Sequence, residues 1–382
     1  MVGSNGREPD SNGTIQASAS RHQRTARQHV TNTDDDFGAQ SKGAPIQTGE
    51  FIHHPVMARE IVALFAPVPP GWVLDATLGG GGHAELILEA HSHLSVLGID
   101  RDSSALAAAR KRLARFADRF IAVHCRFDHL QTAMSTADIT RPIPSLTLDP
   151  IVSLSGALFD LGVSSPQLDR AERGFSYRND AALDMRMDVS QAWSAADVVN
   201  GYPESDLSRV LRDNGDERFA PRIARAIVAH RPIESTAELA GIIVDAIPAA
   251  ARRTGGHPAK RSFQAIRIEV NNELEILPDA LDSAIEVTTP GGRVAVLSYH
   301  SGEDRIVKDR FRSAETGDCV CPPNLPCVCG AVRTVRLVRR VPKTPSAAEV
   351  AENRRAASAR LRVVERLDTS APSSPTTGEG IR

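Results

Sequence analysis

The stretch Trp72-Val73-Leu74-Asp75-Ala76-Thr77-Leu78-Gly79-Gly80-Gly81-Gly82-His83 decides how this chain folds. A short apolar run ends in a carboxylate, four glycines follow, and a helical pattern begins at once with Ala84. This order predicts a strand, a tight glycine turn and a helix that starts directly after the turn. Glycines let a backbone approach a ligand closely, and a helix N-terminus presents unpaired N–H groups to that ligand.

A second apolar run, residues 94–99, ends in Asp100 about twenty residues after the glycines. An acid at that spacing in a βαβ unit binds a ribose hydroxyl, so we predict a nucleoside cofactor. Gly79, Gly81 and Ala84 fit the dinucleotide fingerprint, which is weak support alone. Asp75, four residues before Gly79, gives a D-x-x-x-G-x-G pattern that resembles the first motif of class I methyltransferases, which bind S-adenosylmethionine. The alternative is a purely structural glycine turn.

A third carboxylate follows another predicted strand, residues 155–159, which ends in Asp160. The carboxyl ends of parallel strands meet at one edge of a sheet, where open α/β sheets bind their ligands. Asp75, Asp100 and Asp160 are therefore predicted to line one edge. The predicted fold class is α/β, with a Rossmann-like methyltransferase domain.

Composition limits what else the chain can be. Its 382 residues, 41% of them hydrophobic and 24% charged, suffice for two to three domains with sizeable cores. A net charge of −2 gives no overall attraction to nucleic acid. No apolar run approaches the ~20 residues of a membrane span, and no secretory signal is visible. We expect a cytoplasmic protein with reduced cysteines and no membrane partner, and we leave a homodimer open.

Changes in composition predict the domain boundaries. Residues 1–49 and 369–382 are too polar to form a core and are predicted to be disordered tails. The methyltransferase domain is assigned to residues 50–168 and 258–368, with a Pro-, Ser- and Thr-rich loop at 135–154. Between its two parts, residues 169–257 are predicted to form an inserted all-helical domain, with helices at 195–200, 204–214, 220–230 and 236–246.

One further stretch is long enough to indicate a family: Asp160-Leu161-Gly162-Val163-Ser164-Ser165-Pro166-Gln167-Leu168-Asp169. With several other motifs, it resembles the RsmH (MraW) family, the bacterial 16S ribosomal RNA cytidine-N4 methyltransferases. The likeness covers roughly residues 50–367. The other motifs lie at residues 171–177, 183–188, 215–220, 222–228, 262–274, 290–293 and 299–308.

The resemblance implies which residues hold S-adenosylmethionine. It assigns Gly81, Gly82 and His83 to the methionine part, Asp100 to the ribose hydroxyls, Phe127 to the adenine, and Asp160 and Gln167 to the rest of the pocket. The glycines, Asp100 and Asp160 were already indicated by the residues themselves. Phe127 is equally consistent with a plain core aromatic, and Gln167 is implied by the resemblance alone.

Two basic stretches are candidate RNA surfaces. In the predicted helical domain and just after it, basic residues recur at Arg209, Arg212, Arg218, Arg222, Arg225, Arg231, Arg252, Arg253, Lys260 and Arg261. From Arg333 to Arg366, ten Lys and Arg stand against three Glu, a local net charge of +7. Arginine suits bidentate contacts to phosphate. For the first stretch, the alternative is a solvated helix face balanced by neighbouring acids.

Four of the five cysteines lie close together in the pattern Cys319-x-Cys321-x5-Cys327-x-Cys329. Four thiols at such short spacing could bind zinc tetrahedrally. The spacing is tighter than the usual C-x2-C pairs, and prolines stiffen the loop, so a reduced or occasionally oxidised surface loop is the alternative. The resemblance implies no metal, and we assign none.

The resemblance implies methylation of a cytidine in the decoding region of 16S rRNA, within the small ribosomal subunit. Ser164 and Ser165, in the loop after Asp160, and His300, at a later strand end, are candidate acceptors for the amine protons. We assign no general base, and the target base must leave its stack to enter the pocket. The alternatives are a class I methyltransferase for DNA cytosine or protein, and a ribosome-assembly factor that uses the cofactor only structurally.

Overall fold

The computed structural model of the chain describes residues 55–137, 153–253, 256–322, 324–325 and 327–369. The predicted N-terminal tail, all but the first residue of the predicted C-terminal tail and most of the predicted loop at 135–154 fall outside these residues. Ser135 and Thr136, which we assigned to that loop, instead end a helix. This helix buries Leu130, Ala133 and Met134, and such burial at helical spacing outweighs the polar composition of its last turn.

The described residues form one sheet of seven strands: β1 (Gly71–Asp75), β2 (Leu94–Asp100), β3 (Phe120–His124), β4 (Leu154–Asp160), β5 (Thr288–Ser298), β6 (Val335–Leu337) and β7 (Arg360–Arg366). Their order is β3-β2-β1-β4-β5-β7-β6. The first five strands are parallel, whereas β7 runs antiparallel to both β5 and β6. The chain leaves β1 toward β3 and returns to β4 on the other side of β1. Ligands of open α/β sheets bind at such a reversal.

The α-helices of the described residues are α1 (Ala58–Phe65), α2 (Gly82–Ala90), α3 (Ser103–Arg112), α4 (Leu130–Thr136), α5 (Ser165–Asp169), α6 (Ala195–Gly201), α7 (Glu204–Gly215), α8 (Ala220–Ala229), α9 (Thr236–Ala246), α10 (Ala249–Arg252), α11 (Lys260–Asn271), α12 (Glu273–Val287), α13 (Ser301–Thr316) and α14 (Ala347–Glu352). Short 3-10 turns occur at Ala114–Arg119, Phe127–His129, Ala171–Arg173 and Arg354–Ser358. None of the described helices is long and apolar enough to cross a membrane.

Both faces of the sheet are covered by helices. Leu74 and Phe159 belong to an apolar cluster that includes side chains of α12 and α13. Val73 and Leu158, their neighbours along each strand, belong to a second cluster with side chains of α1, α2 and α3. Strand β1 is therefore buried along its whole length, which explains its continuous apolar run. The predicted Rossmann-like α/β fold is confirmed.

The helical region has an apolar core of its own. Helices α6, α7, α8 and α9 begin and end within one residue of the predicted positions. Their buried side chains, such as Leu211 and Ile223, form a single cluster. Phe263 and Ile266 of α11 belong to the same cluster, so this core extends beyond the predicted boundary at residue 257.

The start of α3 is fixed by Asp102. Its carboxylate caps the helix by accepting a hydrogen bond from the Ser104 amide at 3.0 Å. This carboxylate is also bound by Gln167 and Arg173, which lie 65 and 71 residues further along the chain. A local pattern contains no information about such partners.

Candidate active site

The carboxylates that end β1, β2 and β4 lie at one edge of the sheet, as predicted. Asp75 is in register with Gly98 of β2 and Leu158 of β4, so Asp100 and Asp160 stand two residues beyond it on either side. Burial, with smaller contributions from the charges of Asp160 and Asp100, raises the pKa of Asp75 to about 8, although the Thr77 amide opposes the rise. At neutral pH Asp75 is therefore mostly protonated, a property that the sequence did not show.

The glycine turn is fixed to the end of β2 by its backbone. The Gly79 amide donates to Asp100 Oδ2 at 2.8 Å, and both Gly79 and Gly81 have positive φ, +51° and +79°. A Cβ on Gly81 would lie 3.0 Å from Leu113, and one on Gly82 would lie 2.8 Å from Pro55. A Cβ on the intervening Gly80 would meet nothing within 4 Å. Packing thus requires glycine at 81 and 82, and open space for a ligand borders Gly80.

Asp100 is held in place and keeps acceptor capacity. Its Oδ2 accepts the Gly79 amide and its Oδ1 the Asp102 amide, both at 2.8 Å. A carboxylate offers about four lone-pair positions, so roughly half of them remain for hydroxyl donors. The side chain is partly accessible. Burial raises its pKa above the ordinary value, while the amides of Asp102 and Gly79 act in the opposite direction.

Asp160 connects three elements at the edge of the sheet. Its Oδ1 accepts the Tyr299 hydroxyl at 2.7 Å, and its Oδ2 lies 3.5 Å from His83 Nδ1. Its amide donates to Thr77 Oγ1 at 2.6 Å. Burial and the charge of Asp160 raise the pKa of Tyr299 well above its ordinary value, so Tyr299 remains a donor. Asp160 is thereby held by Thr77 just after β1, by His83 in α2 and by Tyr299 just after β5.

The His83 side chain has a structural role. It is 6% exposed, and its Nε2 lies 2.9 Å from the Val56 carbonyl. Since a carbonyl can only accept, Nε2 carries a proton. The imidazole joins the segment before α1 to Asp160, while the His83 backbone amide lies in the first turn of α2, where unpaired N–H groups face a ligand.

The loop that contains Phe127 starts next to Asp100. The Cys125 amide donates to the Asp100 carbonyl at 3.0 Å, which starts the loop at this edge of the sheet. The Phe127 ring packs edge to face against Phe159, with 5.9 Å between the ring centroids, and it remains partly accessible. Phe127 therefore packs on the core and keeps part of its ring accessible, and its contact with adenine stays a prediction.

Gln167 braces the loop that follows Asp160. It is 7% exposed, its Oε1 accepts the Ser164 amide at 3.0 Å, and its Nε2 donates to Asp102 Oδ2 at 3.1 Å. Arg173 donates to the same Asp102 oxygen at 2.9 Å. Sequence reasoning missed Arg173, although it lies in the family-like motif at 171–177, because its partner stands in a different part of the chain.

His300, a candidate acceptor for the amine protons, is engaged in a helix cap. Its Nδ1 accepts the Glu303 amide at 3.4 Å, while Glu303 Oε2 accepts the Tyr299 amide at 2.7 Å. His300 Nε2 lies 3.1 Å from Glu303 Oε1, an electrostatic contact whose angles fall outside hydrogen-bond geometry. The net pKa of Glu303 is below its ordinary value. Burial acts to raise it, but the His300 ring and the Tyr299 amide together lower it by more. The side chain of Ser165, another candidate, lies outside the described part of the structure.

Residues 50–367 match the family model described as the MraW methylase family. The chain belongs to this family. It is 49% identical over 325 residues to "Ribosomal RNA small subunit methyltransferase H" of Paenibacillus sp. (strain JDR-2), across 83% of this chain and 100% of that one. A protein of the same name from Thermobifida fusca is 50% identical over 334 residues, across 86% and 96% of the two chains. Among solved structures, an rRNA methylase from Streptococcus thermophilus matches with a TM-score of 0.34 and 10% identity, over 81% and 94% of the two chains.

Membership in a methylase family confirms the predicted enzyme class and its cofactor, S-adenosylmethionine. The edge of the sheet fits that molecule. Open space borders Gly80, Asp100 keeps free acceptor positions, and Asp160 adds a second carboxylate, whereas the protonated Asp75 adds no charge. Such a set suits a ligand with a cationic sulfonium and ammonium and would repel a pyrophosphate. The contacts of individual residues with the cofactor stay predictions.

The predicted basic surfaces are only partly available to RNA. Arg231 donates to the carbonyls of Val199 and Tyr202 at 2.7 and 2.6 Å, and thus ties α6 to the end of α8. Arg252 similarly donates to the Ile247 carbonyl at 2.8 Å. The exposed arginines of α7, α8 and the turn between them are Arg209, Arg212, Arg218, Arg222 and Arg225.

Proposed function

We propose that this chain transfers the methyl group of S-adenosylmethionine to N4 of a specific cytidine in the decoding region of 16S rRNA, acting on the small ribosomal subunit in the cytoplasm. The observation that carries the proposal is the near-complete match, at 49% and 50% identity, to two proteins named ribosomal RNA small subunit methyltransferase H. The geometry of the sheet edge supports it, because the family-like loop after Asp160 is held beside the predicted cofactor pocket.

The predicted cofactor residues have distinct tasks in this proposal. The backbone of Gly81, Gly82 and His83 binds the methionine part at the N-terminus of α2, and Asp100 accepts hydrogen bonds from the ribose hydroxyls. Phe127 packs against the adenine. When bound, S-adenosylmethionine supplies an activated methyl group on a cationic sulfonium, which the nearby Asp160 carboxylate favours.

The loop of residues 160–167 is the proposed site for the target base. One end is fixed by the hydrogen bond from the Tyr299 hydroxyl to Asp160. The other end is fixed by the hydrogen bond from Gln167 to Asp102. A loop held at both ends can align the weakly nucleophilic amine with the methyl group, and alignment is the main catalytic requirement once the methyl is activated. The Ser164 hydroxyl and backbone carbonyls of the loop are the proposed acceptors for the amine protons. The amine can lose its proton after transfer, so no general base is required.

The helical region is the proposed RNA-binding part, and it adjoins this loop. The Ser301 hydroxyl, directly after His300, donates to the Asp216 carboxylate at the end of α7. Arg101, directly after Asp100, donates to the Asn271 carbonyl at the end of α11 at 2.8 Å. Arg218 stands two residues after Asp216 and is exposed. Arginines beside the pocket can bind phosphates that flank a base withdrawn from its stack.

The deciding experiment compares small-subunit rRNA from cells with and without this protein by nucleoside mass spectrometry. We expect N4-methylcytidine at one decoding-region position to disappear with the protein. Purified protein and S-adenosylmethionine should restore it on small subunits isolated from the deficient cells. Methylation of DNA or of a protein instead would contradict the substrate. Binding to subunits without formation of S-adenosylhomocysteine would identify an assembly factor.

A further inference from the structure

The loop between α13 and β6 brings four sulfur atoms together. The Sγ atoms of Cys319 and Cys327 are 3.4 Å apart, those of Cys327 and Cys329 are 3.5 Å apart, and those of Cys329 and Cys319 are 3.7 Å apart. With Cys321 included, all four sulfur atoms lie within 4.8 Å of one another. Residues up to ten positions apart in sequence therefore present their thiols to one point.

These distances match those around a single tetrahedral metal ion. With zinc–sulfur bonds of about 2.3 Å, a tetrahedron places its sulfur atoms about 3.8 Å apart. A cluster of several iron atoms would hold the cysteine sulfurs further apart. A disulfide requires a sulfur–sulfur distance of about 2.05 Å, and the four cysteines are free.

Burial of apolar side chains does not hold this loop together. The residues between the paired cysteines point outward, with Val320 86% exposed and Val328 88% exposed, and Leu325 is 64% exposed. At the base of the loop, Gly317 packs on the Val332 backbone, which a Cβ on Gly317 would approach to 2.5 Å. A segment that directs its thiols inward and its apolar groups outward needs a cross-link to stay ordered.

Backbone groups around the sulfur atoms suit metal-bound thiolates. The Val328 amide points at Cys321 Sγ at 3.4 Å, a contact that stabilises a negatively charged sulfur. Gly330, directly after Cys329, has φ of +75°, which turns the chain away from the sulfur cluster without strain.

We propose that Cys319, Cys321, Cys327 and Cys329 bind one Zn²⁺ in a structural site. The four thiols release their protons to solvent as four zinc–sulfur bonds form. The site lies at the far end of α13 from the carboxyl edge, and this helix of 16 residues spans roughly 24 Å. The ion therefore takes no part in methyl transfer. It fixes the connection to β6, a strand of three residues at the edge of the sheet.

The test is the metal content of the purified full chain, with Cys125→Ser as a matched control. Cys125 is the fifth cysteine and follows β3, where its Sγ donates to the Arg126 carbonyl at 3.3 Å. Elemental analysis should find about one zinc per chain in the parent and in Cys125→Ser. Cys321→Ser and Cys327→Ser should lose it. Exchange of zinc for cobalt should give the visible absorption bands of tetrahedral thiolate coordination.

A second measurement uses the unsubstituted protein, so its result does not depend on whether the cysteine variants fold. A strong chelator should remove the zinc, expose four thiols to a thiol reagent and lower the melting temperature, and added zinc should reverse all three changes. Metal-free protein with the same melting temperature and reactive thiols would overturn the proposal, as would bound iron or a pair of disulfides. Methyl transfer is measured separately, so failure here leaves the proposed function intact.

Discussion

Two arginine-rich regions of this protein differ in how far their arginines are already engaged by other groups of the chain. Six arginines of the C-terminal segment already bind groups of the protein: Arg333 the Glu315 carbonyl, Arg336 Glu365, Arg339 Glu315, Arg355 Asp169, Arg362 Asp304 and Arg366 the Thr334 carbonyl. On α8, by contrast, Arg222 is exposed and forms no ion pair within the described residues, and Arg225 makes one loose contact, at 3.5 Å, to Glu204.

The difference shows why the charge of a segment is a poor measure of a binding surface. The count of +7 over residues 333–366 omits Glu315, Asp169 and Asp304, which lie elsewhere in the sequence and are brought against this segment by folding. An arginine that already has a carboxylate partner must give it up before it can bind a phosphate. Residues 169–257 carry a net charge of −2, with twelve Arg against fourteen Asp and Glu, yet the arginines of α7 and α8 are accessible.

The largest expected effect tests the helical side of this comparison. Replacing Arg222 and Arg225 by Ala should raise the KM for small subunits roughly a hundredfold, since two charge-assisted hydrogen bonds at about 1.5 kcal/mol each are removed. The slope of log affinity against log salt should also fall by roughly 0.7–0.9 for each phosphate that the variant no longer binds. Steady-state methylation at several salt concentrations measures both quantities.

The matched control for this variant is Arg340→Ala with Lys343→Ala. It removes the same two charges from exposed positions of the C-terminal segment. We expect a much smaller change in KM. Equal effects of the two double variants would show that the RNA responds to net charge alone and would abolish the distinction between the regions.

The next effect separates cofactor binding from RNA binding. Asp100→Ala should weaken S-adenosylmethionine binding by about 1.5–3 kcal/mol, the range for hydrogen bonds to a charged group. Its affinity for small subunits should stay unchanged, the reverse of the result expected for the arginine pair. Calorimetry with each ligand measures both. If a folded Asp100→Ala protein binds S-adenosylmethionine as tightly as the parent, Asp100 does not contact the cofactor.

The smallest effect concerns the structural arginines. Arg362 donates to both oxygens of Asp304 at 2.7 and 2.8 Å, and each side chain is 27% exposed. Arg362→Ala should lower the free energy of unfolding by about 1–2 kcal/mol, between the values for an exposed ion pair and a buried charged hydrogen bond. The KM for RNA should not change.

The pH dependence identifies the source of this destabilisation. The hydrogen bonds from Arg362 lower the pKa of Asp304. A lowered folded-state pKa contributes stability that is complete above the ordinary aspartate pKa and is lost as the pH falls through the lowered value. Urea unfolding should therefore separate parent and Arg362→Ala near neutral pH and bring them together in acid. A difference that persists in acid would point to weaker packing instead of the missing charge.

Several features followed from the sequence alone because their physical causes are local or periodic. Asp75, Asp100 and Asp160 were placed at one edge, since parallel strands that each end in an acid must align these ends. The helices α6–α9 were placed within one residue, because apolar side chains at helical spacing must face a core. Strands β6 and β7 were not foreseen, since their alternation of arginine with valine and leucine was interpreted as a basic surface.

Only the tertiary structure decided how the same residues behave. Burial within the sheet raises the pKa of Asp75 to about 8, and no sequence pattern contains that desolvation. Gln167 and Arg173 converge on Asp102 from 65 and 71 residues away, and Asp304 neutralises Arg362 from 58 residues away. The sequence determines which groups are present and which repeat with a period. Folding determines which of them meet, because long-range contacts depend on how helices and strands pack together.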